Sequence, residues 1–125
     1  MSDAITSGRA PEPVGAYVHA RRVGNLLFLA GIGPRKRGAS GIPGVTTNDQ
    51  GVVVSYDIAA QTRAALENVR LVLEDAGSGW DKIVDVTVFL TDMKNDFPVF
   101  NRIYAEYFPT NRPTRPPVEV GALPT

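Results

Sequence analysis

The stretch "NRPTRPPVEV", Asn111 to Val120, sets two arginines among three prolines directly before a short apolar run. Proline fixes φ and drives the residue before it toward extended geometry, so a guanidinium carried here keeps little backbone freedom. The planar fork of an arginine meets a carboxylate through two parallel hydrogen bonds, and a stiff backbone would aim that fork. Two readings stand side by side. Arg112 and Arg115 form a receptor for a fixed anion, or they sit solvated on a surface loop whose prolines stop a helix. Glu119 is the nearest carboxylate in sequence, and strand alternation puts residues 115, 117 and 119 on one side. It could act on water or pair with a basic side chain, and structural pairing is the more common use of such a group.

The remaining inventory narrows the chemistry. Cysteine is absent and histidine occurs once, at His19. That excludes a disulfide framework and a thiolate nucleophile, and it leaves a zinc site almost without ligands, so the expectation is chemistry without metal or cofactor. A lone histidine without an evident partner reads as structural. Thirteen basic and thirteen acidic side chains cancel in 125 residues, so no global field favours nucleic acid or an anionic membrane. The N-terminal "MSDAITSGRAPEP" does not read as a secretory signal, and no apolar run reaches transmembrane length. The expectation is one soluble, cytoplasmic domain over residues 1–125, without repeats or linkers.

The elements that must position these residues follow from periodicity. "AYVHA" and "NLLFLAG" flank "RRVGN", so residues 16 to 30 read as a β-hairpin with Tyr17 and His19 on its first strand. "IGPRKRGASGIPGVTTNDQG" reads as a long loop carrying Arg35, Lys36 and Arg37, its charges solvated or used for binding. From Asp57 to Ala76, Ile58, Ala65, Leu66, Val69, Val72, Leu73 and Ala76 recur at helical spacing, with Asp57 as the N-cap and Gly77 as the left-handed end. "IVDVTVFLT" reads as a strand with Val84, Val86, Val88 and Leu90 on one face and Ile83, Asp85, Thr87, Phe89 and Thr91 on the other. A second helix is expected from Phe97 to Phe108, capped by Asp96, with Pro98 in its first turn and an aromatic face; Phe97 and Asn101 project together from its start. "PVEVGAL" reads as a last short strand. The order gives an α+β domain with two helices on one face of a mixed sheet. The apolar second face, Ile83 and Phe89, then points toward a partner subunit.

"APEPVGAYVHARRVGNLLFLAGIGP", "AAQTRAALENVRLVLEDAGSGWDKIVDVTVFLTDM", "FNRIYAEYF" and "RPTRPPVEVGALP" together resemble the reactive intermediate deaminase (Rid) family, in order and spacing, over most of the chain. Two segments, "GAYVHARRVGNLLFLAGIGPR" and "DMKNDFPVFNRIYAEYFPTNRPTR", look most similar to its 2-aminomuconate deaminases of aromatic-compound catabolism. The resemblance implies a chorismate-mutase-like fold assembled as a homotrimer, or trimers paired into a hexamer, with active sites between neighbouring subunits. It also implies hydrolysis of an enamine or imine to a keto acid and ammonia; for 2-aminomuconate the product is 2-oxohex-3-enedioate. The family's "P-x-R" arginine falls on Arg115, its pocket tyrosine on Tyr17, its post-strand glycine on Gly31 and its cleft asparagine on Asn101. Two family features are replaced: Ala30 stands for a serine and Pro117 for a cysteine. The chain stops at "GALPT", where relatives continue into a strand bearing a pocket glutamate.

Hydrolysis of an enamine acid needs a group that fixes the carboxylate, protonation at carbon, and a water aimed at the imine carbon. Arg115 suits the first. Backbone groups at Gly31 and Ile32 can orient water or the departing nitrogen, and Tyr17 offers a wall or an orienting hydroxyl. Two carboxylates on the substrate would call for a second cation, from Arg112, Arg35 or Arg37. A general 2-aminoacrylate-type deaminase and a non-catalytic binder of small carboxylates are the alternatives; nucleic-acid cleavage fits the neutral charge least.

Overall fold

The computed structural model describes residues 2–124, and the chain divides into two compact units, Met1–Trp80 and Asp81–Thr125. The described residues hold short strands and two α-helices, an α+β composition with both antiparallel and parallel pairing. No helix among them is long and apolar enough to cross a membrane.

In the first unit, β1 (Ser2–Ile5), β2 (Ala20–Val23) and β3 (Leu26–Leu29) form an antiparallel sheet in that order. Gly24 takes φ +59°, the positive value required at the first central position of a type II′ hairpin turn. Val23 pairs with Leu26 across that turn. The expected hairpin is therefore present, but its strands lie nearer the turn: Arg21 and Arg22 belong to β2, and residues 16–19 precede it. Tyr17 and His19 are not strand neighbours, because a tight turn, Tyr17 N–H to Gly15 O at 3.0 Å, takes this segment off the ladder. β1 is an addition. Its four residues, SDAI, are too few and too polar to show alternation.

The inner face of this sheet supplies Ile5, Ala20 and Leu29, which pack with Ala10, Ile32, Leu71 and the fully buried Val72. Val72 comes from α1 (Ile58–Asp75), whose boundaries follow its capping residues. Asp57 accepts from the Ala59 and Ala60 N–H groups at 2.9 and 3.3 Å. Gly77 takes φ +78°. Its N–H donates to Glu74 O at 3.0 Å, and that of Ser78 to Leu73 O at 2.8 Å, the paired bonds of a Schellman end. Arg22 adds a 2.6 Å bond to Ala76 O. Part of the expected loop is itself a hairpin, β4 (Val45–Thr47) with β5 (Val53–Tyr56). Asn48 closes it by accepting from the Gln50 and Val52 N–H groups at 2.9 and 3.0 Å, with Gly51 at φ +77°.

The second unit pairs β6 (Val88–Leu90) in parallel with β7 (Pro117–Glu119) and carries α2 (Met93–Tyr107). Both strands are shorter than expected. Before β6 only the bridge Asp85–Thr114 and the bonds Val86 N–H to Thr114 O and Thr114 N–H to Val84 O persist. The next donor in the series would be residue 116, and Pro116 has no N–H to give to Val86 O. Val84, expected on the core face, is 71% exposed in this interrupted stretch. In the regular part alternation holds: Val88 and Leu90 are buried, while Phe89 and its pairing partner Val118 are exposed.

Helix α2 starts four residues before the expected Phe97. Asp92 is its N-cap, accepting from Asn95 N–H at 3.3 Å and from the Asn95 side-chain amide at 2.7 Å. Pro98 therefore lies inside the helix, where it removes a donor from the exposed Lys94 turn. Asp96 is a buried residue of the helix and not its cap.

Candidate functional site

In the first unit the polypeptide from Ser7 to Pro13 is threaded by prolines and cannot form a ladder, so side chains hold it. Ser7 N–H donates to His19 Nδ1 at 2.9 Å, and His19 Nε2 lies 2.7 Å from Pro11 O. A backbone amide only donates, so Nδ1 is the acceptor and Nε2 carries the proton. His19 is thus a neutral brace for the backbone, buried as its structural reading anticipated. Arg37 donates to Ala10 O at 2.8 Å, Ser7 O at 3.0 Å and the Glu12 carboxylate at 2.9 Å. It stays exposed, as a basic loop residue is expected to be, but its donors are committed to protein oxygens and tie the loop after β3 to this segment. Arg9 reaches Asp75 at 2.6 Å and Glu74 at 3.1 Å. The Arg9 hydrogen bond, with one from the Ser7 hydroxyl, holds the Asp75 carboxyl below its usual range, and the same contact raises the Arg9 guanidinium.

The segment walls a small pocket open to solvent, whose lining includes Tyr17, Gly31, Ile32 and Arg35. The structure thus brings three sequence-assigned residues together with one loop arginine. Tyr17 is 46% exposed. Its phenolic oxygen accepts from Val14 N–H at 3.2 Å, so its own proton is left to donate. A methyl group added at Gly31 would meet no described atom within 4 Å. Arg35 donates to Glu12 O at 3.1 Å.

Asn68, on the buried stripe of α1 one turn before Val72, was not singled out in the sequence. Its side-chain amide donates to Gly33 O at 2.8 Å and Arg35 O at 2.6 Å. It thereby pins the loop that presents Gly31, Ile32 and Arg35. The available signal was a polar residue at a core-facing helical position, which must find partners.

In the second unit strand alternation divides the proline-rich segment between two faces. Thr114 turns to Asp85, donating to its carboxylate at 2.6 Å. Arg115 takes the opposite face and lies over α2, its guanidinium carbon 4.5 Å from the Tyr104 ring centroid, 5.5 Å from Phe97 and 5.8 Å from Phe100. Among the described residues no carboxylate or carbonyl hydrogen-bonds this guanidinium. Glu119 shares Arg115's side of the strand, but it accepts from Met93 N–H at 2.9 Å, at the first turn of α2. Its partner is a helix N-terminus in place of the basic side chain considered from the sequence. Phe97 joins the arginine, whereas Asn101 and Arg112 are exposed and Asn101 is not part of the ring contact. Burial pushes the Tyr104 phenol above its usual range; the Arg115 charge opposes this and Asp85 adds to it.

A small α+β fold with these two groups of residues defines a class, and comparison with known proteins identifies it. The pattern of the family described as endoribonuclease L-PSP matches residues 7–125. A RutC family protein of Pyrococcus horikoshii is 41% identical over 127 residues, covering 99% of this chain and 89% of that protein. The 3-aminoacrylate deaminase RutC of Acinetobacter baylyi is 38% identical over 113 residues, covering 90% and 80%. Among solved structures, E. coli TdcF with bound serine aligns with a TM-score of 0.82 at 33% identity, over 98% of this chain and 88% of that one. The chain belongs to the endoribonuclease L-PSP family, which it shares with the RutC and reactive intermediate deaminases.

Proposed function

We propose that the protein is a hydrolytic deaminase of short enamine and imine carboxylates, with 2-aminomuconate as its substrate in aromatic-compound catabolism. The observation that carries this reading is Arg115: a permanently charged fork laid on aromatic rings, with no protein acceptor among the described residues. A half-buried guanidinium without an acceptor is a strong site for a carboxylate, since the incoming anion completes charge-assisted hydrogen bonds that the fold leaves unmade. The relative named a 3-aminoacrylate deaminase and the TdcF structure with bound serine support a small amino- or imino-carboxylate as the ligand class.

Arg115 holds the carboxylate adjacent to the reacting carbon. The enamine takes a proton at carbon to give the iminium, water adds to that carbon, and the tetrahedral adduct expels ammonia to leave the 2-oxo acid. Tyr17, through its free hydroxyl proton, and the backbone at Gly31 and Ile32 orient the water or the departing nitrogen. No metal or cofactor enters this scheme. A homotrimer with sites between protomers completes it, and the exposed Phe89 and Val118 give that assembly an apolar face. For a dicarboxylate the second cation comes from Arg35 in the pocket or the exposed Arg112, because Arg37 is already committed to protein oxygens.

A general deaminase of small enamine and imine acids, 2-aminoacrylate among them, is the second reading; it is supported by relatives named for a small monocarboxylic enamine, 3-aminoacrylate, and for reactive intermediates. Ammonia release and loss of ultraviolet absorbance with freshly generated 2-aminomuconate and 2-aminoacrylate separate the two. In both cases Arg115→Ala lowers turnover by ~100-fold or more while the protein stays folded and assembled. Unchanged turnover dismisses the arginine's role, and tight binding of keto acids without ammonia release replaces the enzyme with a carboxylate-binding module.

A further inference from the structure

Tyr104 is an unusual core residue. It is 8% exposed, and among the described residues its buried hydroxyl has no hydrogen-bond partner. A ring needed only to fill volume at this place would be better served by phenylalanine, because an unmet buried hydroxyl costs stability. The ring itself is firmly held. Phe108 lies 4.4 Å away and Phe100 5.7 Å, centroid to centroid, both tilted against it. Of the three rings beneath Arg115, Tyr104 is nearest, and Phe97 and Phe100 extend the same row at helical spacing.

We infer that Tyr104 is a positioning residue for substrate: its ring face is the platform that holds the Arg115 guanidinium by cation–π attraction, leaving the N–H edges of the fork free for a carboxylate. The inference rests on the carboxylate role proposed for Arg115. A carboxylate placed on Arg115 would otherwise have to organise a flexible side chain with several rotatable bonds. The platform supplies that order before the ligand arrives, and arginine keeps its hydrogen-bonding edge while stacked because the ring takes up only its face. Phe97, less buried and at the outer end of the row, contributes a smaller share of the same surface.

The test uses pyruvate as a probe, titrated calorimetrically into the full chain, together with the Arg115 Nε–Hε resonance, assigned by its loss in Arg115→Lys. In the wild type this resonance carries an upfield ring-current shift. Tyr104→Leu keeps an apolar side chain but removes the π face; the expected result is pyruvate affinity weakened about fivefold or more and loss of the ring-current shift. Tyr104→Phe keeps the face and removes the unmet hydroxyl, so it retains affinity and the shift while its thermal midpoint rises. If Tyr104→Leu does not fold, Phe97→Leu carries the same measurement, with a smaller loss of affinity. A folded Tyr104→Leu protein that binds like the wild type overturns the inference, as does a Tyr104→Phe protein weakened as much as Tyr104→Leu. Pyruvate affinity that is unchanged in Arg115→Ala overturns the carboxylate reading instead, and a wild-type Arg115 resonance without a ring-current shift overturns the platform alone.

Discussion

In residues 1–80, Arg9, Arg22 and Arg37 reach protein oxygens: carboxylates at 74, 75 and 12, and carbonyls at Ser7, Ala10 and Ala76. In residues 81–125, Arg115 reaches none among those described and rests on rings. The same side chain therefore does two jobs. Where the backbone is irregular and its carbonyls lack ladder partners, arginine acts as a cross-link and its charge is consumed by the fold. Where proline stiffens the backbone and α2 presents an aromatic row, arginine needs no partner to be placed, and its hydrogen-bonding capacity is preserved. An arginine's availability for a ligand is thus a matter of what else nearby needs a donor.

That contrast predicts opposite phenotypes. Arg115→Ala abolishes most turnover with little change in melting temperature. Arg37→Ala does the reverse, losing about 1–3 kcal/mol of stability as three charge-assisted bonds vanish, with turnover retained in the folded fraction. If denaturant melts showed equal stability loss for both, the division of labour would fail. Asn68→Asp sharpens the comparison inside the first unit. Its carboxylate faces the Gly33 and Arg35 carbonyls with no proton to offer, so the loop loosens, at a cost of about 2 kcal/mol. Hydrogen exchange at residues 31–35 should accelerate while exchange in α2 stays unchanged; uniform acceleration would mean that the variant acts on the whole protein.

The smallest effect is pH-dependent. Arg9 and Ser7 lower the Asp75 carboxyl in the folded state. The stabilisation is therefore complete above the unfolded carboxylate value, about 4, and fades as pH falls through the lowered folded value. Melting temperature measured across that acid range should fall less steeply for Asp75→Asn than for the wild type. Parallel curves would remove Asp75 from the network's acid response.

Legibility of the chain followed the range of the interactions. Helix α1 could be read to the residue, because Asp57, the apolar spacing and Gly77 act within a few positions of one another. The α2 start could not. A Pro at 98 suits the first turn of a helix capped by Asp96, whereas the helix starts one turn earlier at Asp92. At Asp92 the cap is completed by Asn95, and Glu119, remote in sequence, adds an acceptor for Met93 N–H. β1 and β4 are three or four residues long and carry no periodicity of their own; partners hold them in place.

The candidate site divides in the same way. By itself, the amino-acid sequence determined the stiff setting of Arg115, the shortage of metal and thiol ligands, the α+β order and the family, since these are properties of local residue types and their spacing. Only the tertiary structure decided which arginines are spent, that Asn68 holds the pocket loop, and that Tyr104 lies under Arg115. The physical reason is that donor supply and ring placement depend on groups far apart in the chain, and no local pattern records which carbonyl or ring will meet them.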